Sequence, residues 1–379
     1  MMKKVDSYDL SDSDMLNPNN PYQFCHLTKL VLENLPNLEH LLGLVGLPEI
    51  KTLELRGIPK LELLTTTTGF ANGEEEDEMQ YCFPRLSTLV ICDCPKLSVK
   101  PYFPPSLQSL TLEGSSEHLF SSGCFFHPRH GGHAHGEEPS SSSCIVDVKH
   151  PHLKKLKLSR LIGSSSGWDV LEHLTGLHVL QISECRDLND LPESMKCLTC
   201  LCKLKIEDCD NLCVLPEWLG ELRSLQHLWI ESLPIMSIPP QSIQHLTSLE
   251  SLDIMFCNAL QQLPEQLGEF CSLRDLTIFL PALTFLPESM RRLCSLQFLN
   301  LLGCEALTLL PESLGDLSAL RRFCIQNCPG LTSLPHSMRR LELEALLIGG
   351  NPDLVRRCRE GVGEDWHLIS HIPVLHLLD

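Results

Sequence analysis

The sequence predicts an α/β solenoid: a horseshoe with a parallel β-sheet on its concave side and short helices or turns on its convex side. Three observations predict it. A phrase of about 24 residues returns almost without interruption over residues 177–341. Within each copy a short segment alternates apolar and polar residues with period two, as a half-buried strand requires. The rest of each copy carries Leu-Pro-Glu, a combination suited to the start of a short helix. From residue 201 the phrase reads LCKLKIEDCDNLCVLPEWLGELRS, and from residue 249 LESLDIMFCNALQQLPEQLGEFCS.

The shared frame, L-x-x-L-x-(L/I)-x-x-C-x-x-L-x-x-L-P, is that of a leucine-rich repeat with cysteine at the asparagine/cysteine position. Its units begin at Leu27, Ile50, Leu86, Leu107, Leu153, Leu177, Leu201, Leu225, Leu249, Leu273, Leu296, Leu320 and Leu343, thirteen in all. The later units are spaced 23 or 24 residues apart, whereas the first four gaps are 23, 36, 21 and 46. Two insertions are therefore expected, near residues 65–81 and 114–143. The first contains the acidic run 74–78, the second the segment HPRHGGHAHGEEPSSSS. Both are poor in aliphatic residues, so both are expected as solvated loops that bury no core. The reading divides the chain into a polar, disordered lead-in (1–22), the repeat domain (23–348) and a capping segment (349–379).

Alternation points Leu204 and Ile206 inward and leaves Lys203, Lys205 and Glu207 outward. At about 4.8 Å per strand, thirteen stacked strands would run on the order of 60 Å. Pro192, Pro216, Pro264, Pro287 and Pro311 stand where a short helix or 3₁₀ turn begins, a place that tolerates a missing N–H. Glu193, Glu217, Glu265, Glu288 and Glu312 follow at once, and a negative charge suits a helix N-terminus. Their recurrence makes them structural. Cys94, Cys185, Cys209, Cys257, Cys304 and Cys328, with Asn351 in the last unit, should be buried at the corner and hydrogen-bond loop backbone.

Composition sets limits on function. The formal net charge of −18 opposes general phosphate binding, which needs lysine and arginine, so no nucleic-acid partner is expected. No apolar run is long enough to span a bilayer. The N-terminal stretch lacks the apolar core of a signal peptide, and no Asn-x-Ser/Thr sequon occurs. The expectation is a cytoplasmic protein whose 19 cysteines are mostly thiols.

Chemistry-bearing motifs fall away on inspection. Cys197 and Cys200 spell C-x-x-C but lack a second ligand pair, and Leu198 and Leu201 lie on the repeat frame. His127, His130, His133 and His135 sit in a Gly/His stretch with no fixed geometry. Gly163, Ser165 and Gly167 match G-x-S-x-G without the strand–turn–helix context of a nucleophile elbow. No phosphate-binding loop is present. The reading is a non-enzymatic protein with no cofactor and no metal.

What remains is the concave surface. Its outward positions give a basic patch of Lys155, Lys157, Arg160, Lys203 and Lys205. Beside it runs an apolar stripe of Trp229, Met255, Phe256, Phe279, Phe298 and Leu302. Exposed aromatic and methionine side chains on neighbouring strands mark a partner-binding surface.

The phrases LPEWLGELRSLQHLWI and LPESLGDLSALRRFCIQNCPGLTSLPHSM, and above all GGNPDLVRRCREGVGEDWHLISHIPVL, carry a more specific resemblance. The chain from about Phe24 onward is similar to the C-terminal repeat region of plant nucleotide-binding leucine-rich-repeat disease resistance proteins. Its closest likeness is to the coiled-coil class found in grasses. The resemblance implies recognition of a pathogen effector or a host partner protein in innate immunity. It also implies restraint of a nucleotide-switch domain that this chain does not contain. The tail would cap the solenoid, with Glu364 and Asp365 starting a helix that lays Trp366, Ile369 and Ile372 on the last repeat. The other reading is an intracellular scaffold or adaptor unrelated to immunity, such as one that selects substrates for a ubiquitin ligase.

Overall fold

The computed structural model describes residues 26–41, 47–68, 80–115, 117–120, 122–125, 152–161 and 165–378. The lead-in, the acidic run 74–78 and His127, His130, His133 and His135 lie outside them. Fourteen strands form one sheet in sequence order. They are β1 (Lys29–Glu33), β2 (Thr52–Arg56), β3 (Thr88–Cys92), β4 (Ser109–Glu113), β5 (Lys155–Ser159), β6 (Val179–Ser183) and β7 (Lys203–Glu207). After them come β8 (His227–Glu231), β9 (Ser251–Met255), β10 (Asp275–Phe279), β11 (Phe298–Leu302), β12 (Arg322–Gln326), β13 (Ala345–Gly349) and β14 (Val374–Leu378). Every neighbouring pair is parallel and in register, so equivalent positions of successive repeats stand side by side.

The second and fourth residues of each strand build the core. Leu204, Ile206, Leu228, Ile230, Leu276 and Ile278 are all 1% exposed or less. Burying a leucine or isoleucine side chain stabilises by roughly 1.5–3 kcal/mol, and the repeat does so at each frame position.

Each strand ends in a corner with its own hydrogen bonds. After β1 to β13, β10 excepted, the residue following the strand takes a left-handed backbone, as at Arg160 (φ 47°), Asp208 (φ 53°) and Phe256 (φ 56°). Its N–H donates to the last carbonyl of the next strand: Glu184 to Glu207 at 3.0 Å, Ser232 to Met255 at 2.9 Å. The frame cysteine then turns inward, and its thiol donates to the last carbonyl of its own strand. The distances are 3.4 Å for Cys209 to Glu207 and 3.3 Å for Cys328 to Gln326. Asn351 exchanges two bonds with the backbone of Cys328, accepting from its N–H at 2.9 Å and donating to its carbonyl. Burial pushes the Cys257 thiol up to about 11, which keeps it protonated and inert.

The return segments are 3₁₀ turns, each preceded by its proline: Glu193–Cys197, Glu217–Glu221, Glu265–Glu269, Glu288–Arg292, Glu312–Asp316 and His336–Arg340. The glutamates act across repeats and not only on their own turn. Glu265 accepts the N–H of Ser289 at 3.1 Å, and Glu312 accepts those of His336 and Ser337 at 2.9 Å each. Adjacent turns pack so closely that a Cβ on Gly268 would lie 2.3 Å from the Ser289 carbonyl oxygen.

Two expectations are corrected. The second insertion does not merely loop out: Leu119, Phe120 and Phe125 are 2% exposed or less. Phe120 meets Trp168 edge-on at 5.4 Å, and Phe125 meets Phe103 at 5.0 Å. A low average of aliphatic residues concealed three side chains that fill one hole beside the 3₁₀ turn Ser165–His173. The tail also holds more than helices. After the short helices Pro352–Arg357 and Trp366–Ile369 it adds β14, whose VLHLL continues the period-two alternation and pairs with β13 along its whole length. Asp365 is 4% exposed; it takes two bonds from Arg357 at 2.8 and 3.0 Å and one from the Leu334 N–H at 3.0 Å.

Candidate partner-binding face

On the concave face the first, third and fifth residues of each strand stand in three rows. Lys155, Val179, Lys203, His227, Ser251, Asp275, Phe298 and Arg322 follow one another in the first. The second runs Lys157, Gln181, Lys205, Trp229, Asp253, Thr277 and Asn300. In the third, Glu207, Glu231, Met255 and Phe279 are successive neighbours, with Leu302 next on β11.

The basic patch is less available than its composition implies. Val179 separates Lys155 from Lys203, and Gln181 separates Lys157 from Lys205. Arg160 is shared among Glu113 at 2.8 Å, Asp93 at 3.2 Å and Glu184 at 3.9 Å. Its hydrogen bond holds the Glu113 carboxyl below the usual carboxylate range. Lys205 pairs with Glu207, lies 3.8 Å from Glu231 and sits 4.6 Å above the Trp229 ring. Lys155, Lys157 and Lys203 make no ion pair with a described residue.

The apolar stripe divides. Trp229 donates from Nε1 to Glu231 at 2.8 Å and lies under Lys205, so both its edge and its face are engaged. Phe298 stands in the first row with the Arg322 guanidinium 5.6 Å from its ring. Met255, Phe256, Phe279 and Leu302 come together at the strand ends. The rings of Phe256 and Phe279 are 4.2 Å apart and tilted by 36°, and Phe256 is 41% exposed.

A one-residue deletion produces this cluster. The unit from Leu273 to Leu296 is 23 residues long, and Leu280 follows Phe279 directly into the buried corner position. The left-handed residue of the other corners is thereby lost. Pairing of β10 with β11 stops at Ile278 and Leu301, while β8 with β9 and β9 with β10 pair over all five residues. Phe279 lies instead over Gly303 (φ +56°), where an added Cβ would come within 2.5 Å of its ring. Glycine there provides both the backbone conformation and the room.

Sequence reading missed other exposed apolar residues, which lie beyond the strand corners. Val214, Phe285 and Leu309 are 53%, 45% and 66% exposed at the position before Leu-Pro, where other repeats carry Asp190, Gln262 and Ser333. An apolar residue at a variable polar position was the available signal. Asp253 and Asp275 were also missed. Burial raises both carboxyls above their ordinary range, against hydrogen bonds from Thr277 and Ser251 to Asp253 and the positive charges of His227 and Arg274 near Asp275.

Motifs set aside from the sequence lie in the frame. Cys197 and Cys200 are exposed on the convex side while Leu198 and Leu201 between and beside them are wholly buried. No helix among the described residues is long and apolar enough to cross a membrane.

Comparison with known proteins agrees with this architecture. Among curated proteins none matches the sequence. Solved structures that it resembles include a leucine-rich-repeat protein of Leptospira interrogans, at 16% identity and a TM-score of 0.44 over 95% of this chain and 98% of that one. An internalin of Listeria monocytogenes is 12% identical with a TM-score of 0.40, covering 95% and 84%. TLR13, solved as a complex with the RNA ssRNA13, is 18% identical with a TM-score of 0.49, covering 93% and 54%. The family described as leucine-rich repeat region matches residues 140–378, more than half of the sequence. With its fourteen-stranded parallel sheet and its repeating corner, the chain belongs to the leucine-rich-repeat family.

Proposed function

We infer that the chain is a recognition module that binds protein partners through its concave face, with Met255, Phe256, Phe279 and Leu302 as the apolar anchor. Lys155, Lys157 and Lys203 flank that anchor as its charged margin, and Trp229, Phe298, Arg160 and Lys205 frame it as pre-ordered side chains. The observation that carries this reading is the ring pair of Phe256 and Phe279 at the strand ends, where Phe256 is exposed and the pairing of β10 with β11 stops short of Phe279. Aromatic anchors of this kind supply most of the energy of an interface. Following the resemblance of the repeats and the tail, the module acts in plant innate immunity. Its partner is a pathogen effector or a host protein, and it restrains a nucleotide-switch domain carried elsewhere. The work is cytoplasmic and needs no cofactor or catalytic group. A role as an adaptor outside immunity uses the same face.

The test is a pull-down of candidate effectors and host proteins with the full chain and its Phe256→Ser/Phe279→Ser variant. Partners should be lost from the variant, whose circular dichroism and melting should stay those of a folded repeat. Unchanged capture of every partner would sink the assignment of this face. Partners held without any nucleotide-switch domain, and equally outside plant immunity, would favour the adaptor role.

A further inference from the structure

Two carboxylates stand beside the aromatic cluster with no ion-pair partner among the described residues. Asp253 is the middle residue of β9 and Asp275 the first of β10. The register sets Asp275 against Ser251 and Asp253 against Thr277, so the two acids are diagonal neighbours. Side chains in that relation are within reach of one another, and like charges there are unfavourable. Arg160 and Lys205 are occupied by carboxylates of their own. Asp253 and Asp275 form no ion pair with a described residue.

The surroundings of the two acids are defined on every side. His227 of β8 lies diagonal to Asp253, and Trp229 lies directly beside it. Phe298 of β11 lies beside Asp275, and Arg274 and Glu250 act on it from the segments that enter the strands. Ser251 donates to Asp253 at 3.2 Å, which fixes the direction of its carboxylate. The acids thus sit between aromatic side chains, where an ionic contact is screened less than in open water. Met255 follows Asp253 by two residues on the same face, a separation of about 7 Å.

We propose that the partner's contact segment carries a lysine or arginine about 7 Å from the apolar side chain it lays on Phe256 and Phe279, and that this cation bridges Asp253 and Asp275. The proposal rests on the function inferred above and adds the partner's chemistry to it. A cation from outside relieves the repulsion between the two acids, neither of which is held in an ion pair by a described residue; His227 and Arg274 act on them only from a distance. A polyphosphate such as RNA meets its own sign of charge at this point of the face and is repelled.

The experiment selects random dodecapeptides displayed on phage against the full chain, then titrates the synthesised winners by fluorescence anisotropy. Selected peptides should share a Lys or Arg one to three positions from an aromatic or aliphatic residue. Their affinity should fall about tenfold for the Asp253→Asn/Asp275→Asn double variant, the scale of one close charge pair. It should also weaken with added salt and as acidification protonates the two carboxyls, whose burial makes them take up protons sooner than exposed aspartates. Asparagine keeps the shape of aspartate, and melting curves verify the fold. Peptides lost with Phe279→Ser but indifferent to the asparagines would overturn the cation bridge and leave the binding face intact. Peptides indifferent to both would overturn the face as well. Selection of acidic peptides, of none, or tighter binding of a single-stranded RNA oligonucleotide would also overturn the proposal.

Discussion

At the scale of single residues, the side chains that matter for binding are those the repeat leaves free, and their behaviour depends on neighbours one repeat away. Gly303 has a left-handed backbone, and Phe279 lies against the space its missing side chain leaves. Gly303→Ala should cost about 1–2 kcal/mol for the backbone alone. It should also tilt the Phe279 ring, so a lowered melting temperature and weakened partner binding are expected together. Asp253 and Asp275 give a second residue-scale prediction. Burial raises their carboxyls in the folded chain. Their ionisation therefore opposes folding, a cost absent below the unfolded value of about 3.9 and complete above the raised folded values. Stability contributed by these groups falls as pH rises through that window. Asp253→Asn should accordingly melt higher than the wild type at pH 7, and the gain should vanish at pH 3; a gain equal at both would refute the linkage. The outward positions were legible from the alternation alone. Which of them meet was not, because Trp229 and Phe298 belong to different rows from Phe279 and find charged partners of their own.

At the scale of elements, the frame residues behaved as the sequence indicated, while their partners were out of its reach. Pro-Glu marks the start of each 3₁₀ turn, yet the carboxylate of Glu312 serves the amides of the following repeat. Burial pulls its pKa up, but the amides of His336 and Ser337 outweigh that and hold it below the ordinary range. Its contribution is present above the unfolded value and lost as pH falls through the folded one. For so exposed a group, Glu312→Gln should cost about 0.5–1 kcal/mol at pH 7 and nothing once the pH is low enough to protonate the wild type. Chemical denaturation at the two pH values measures the difference. Asp365 carries more. It is buried, holds Arg357 with two bonds and caps Leu334. Removing one partner of a buried pair costs about 3–5 kcal/mol, and the part-exposed Arg357 side chain brings the expectation for Asp365→Ala to about 2–3 kcal/mol. Hydrogen exchange should then rise first in 345–378. The 23-residue spacing of the Leu273 unit was visible in the sequence; its consequence for Phe279 was not, since a deletion can be absorbed anywhere in a corner. Phe120 and Phe125 were hidden for a similar reason: composition averages over a loop, whereas packing is decided by three side chains.

At the scale of the whole molecule, the fourteen-stranded sheet runs in sequence order, so the strand of each repeat pairs only with the strands of the repeats on either side. Stability in such a chain is a sum of units and their interfaces, so damage should stay local. Leu276 tests this. It is fully buried and its neighbours across the sheet are Leu252 and Leu299. Leu276→Ala removes packing on both, at about 2–5 kcal/mol. In a globular core that loss would be felt everywhere, because one cooperative transition carries all contacts. Here hydrogen exchange should accelerate in β9, β10 and β11 while β2 and β13 keep their protection. The same variant should lose partner binding well below its melting temperature, because Met255, Phe256 and Phe279 stand on the loosened strands. Uniform loss of protection from β2 to β13 would mean that the solenoid unfolds as a single unit. Binding would then report global stability, and the location of the aromatic cluster would have to be tested by surface variants alone.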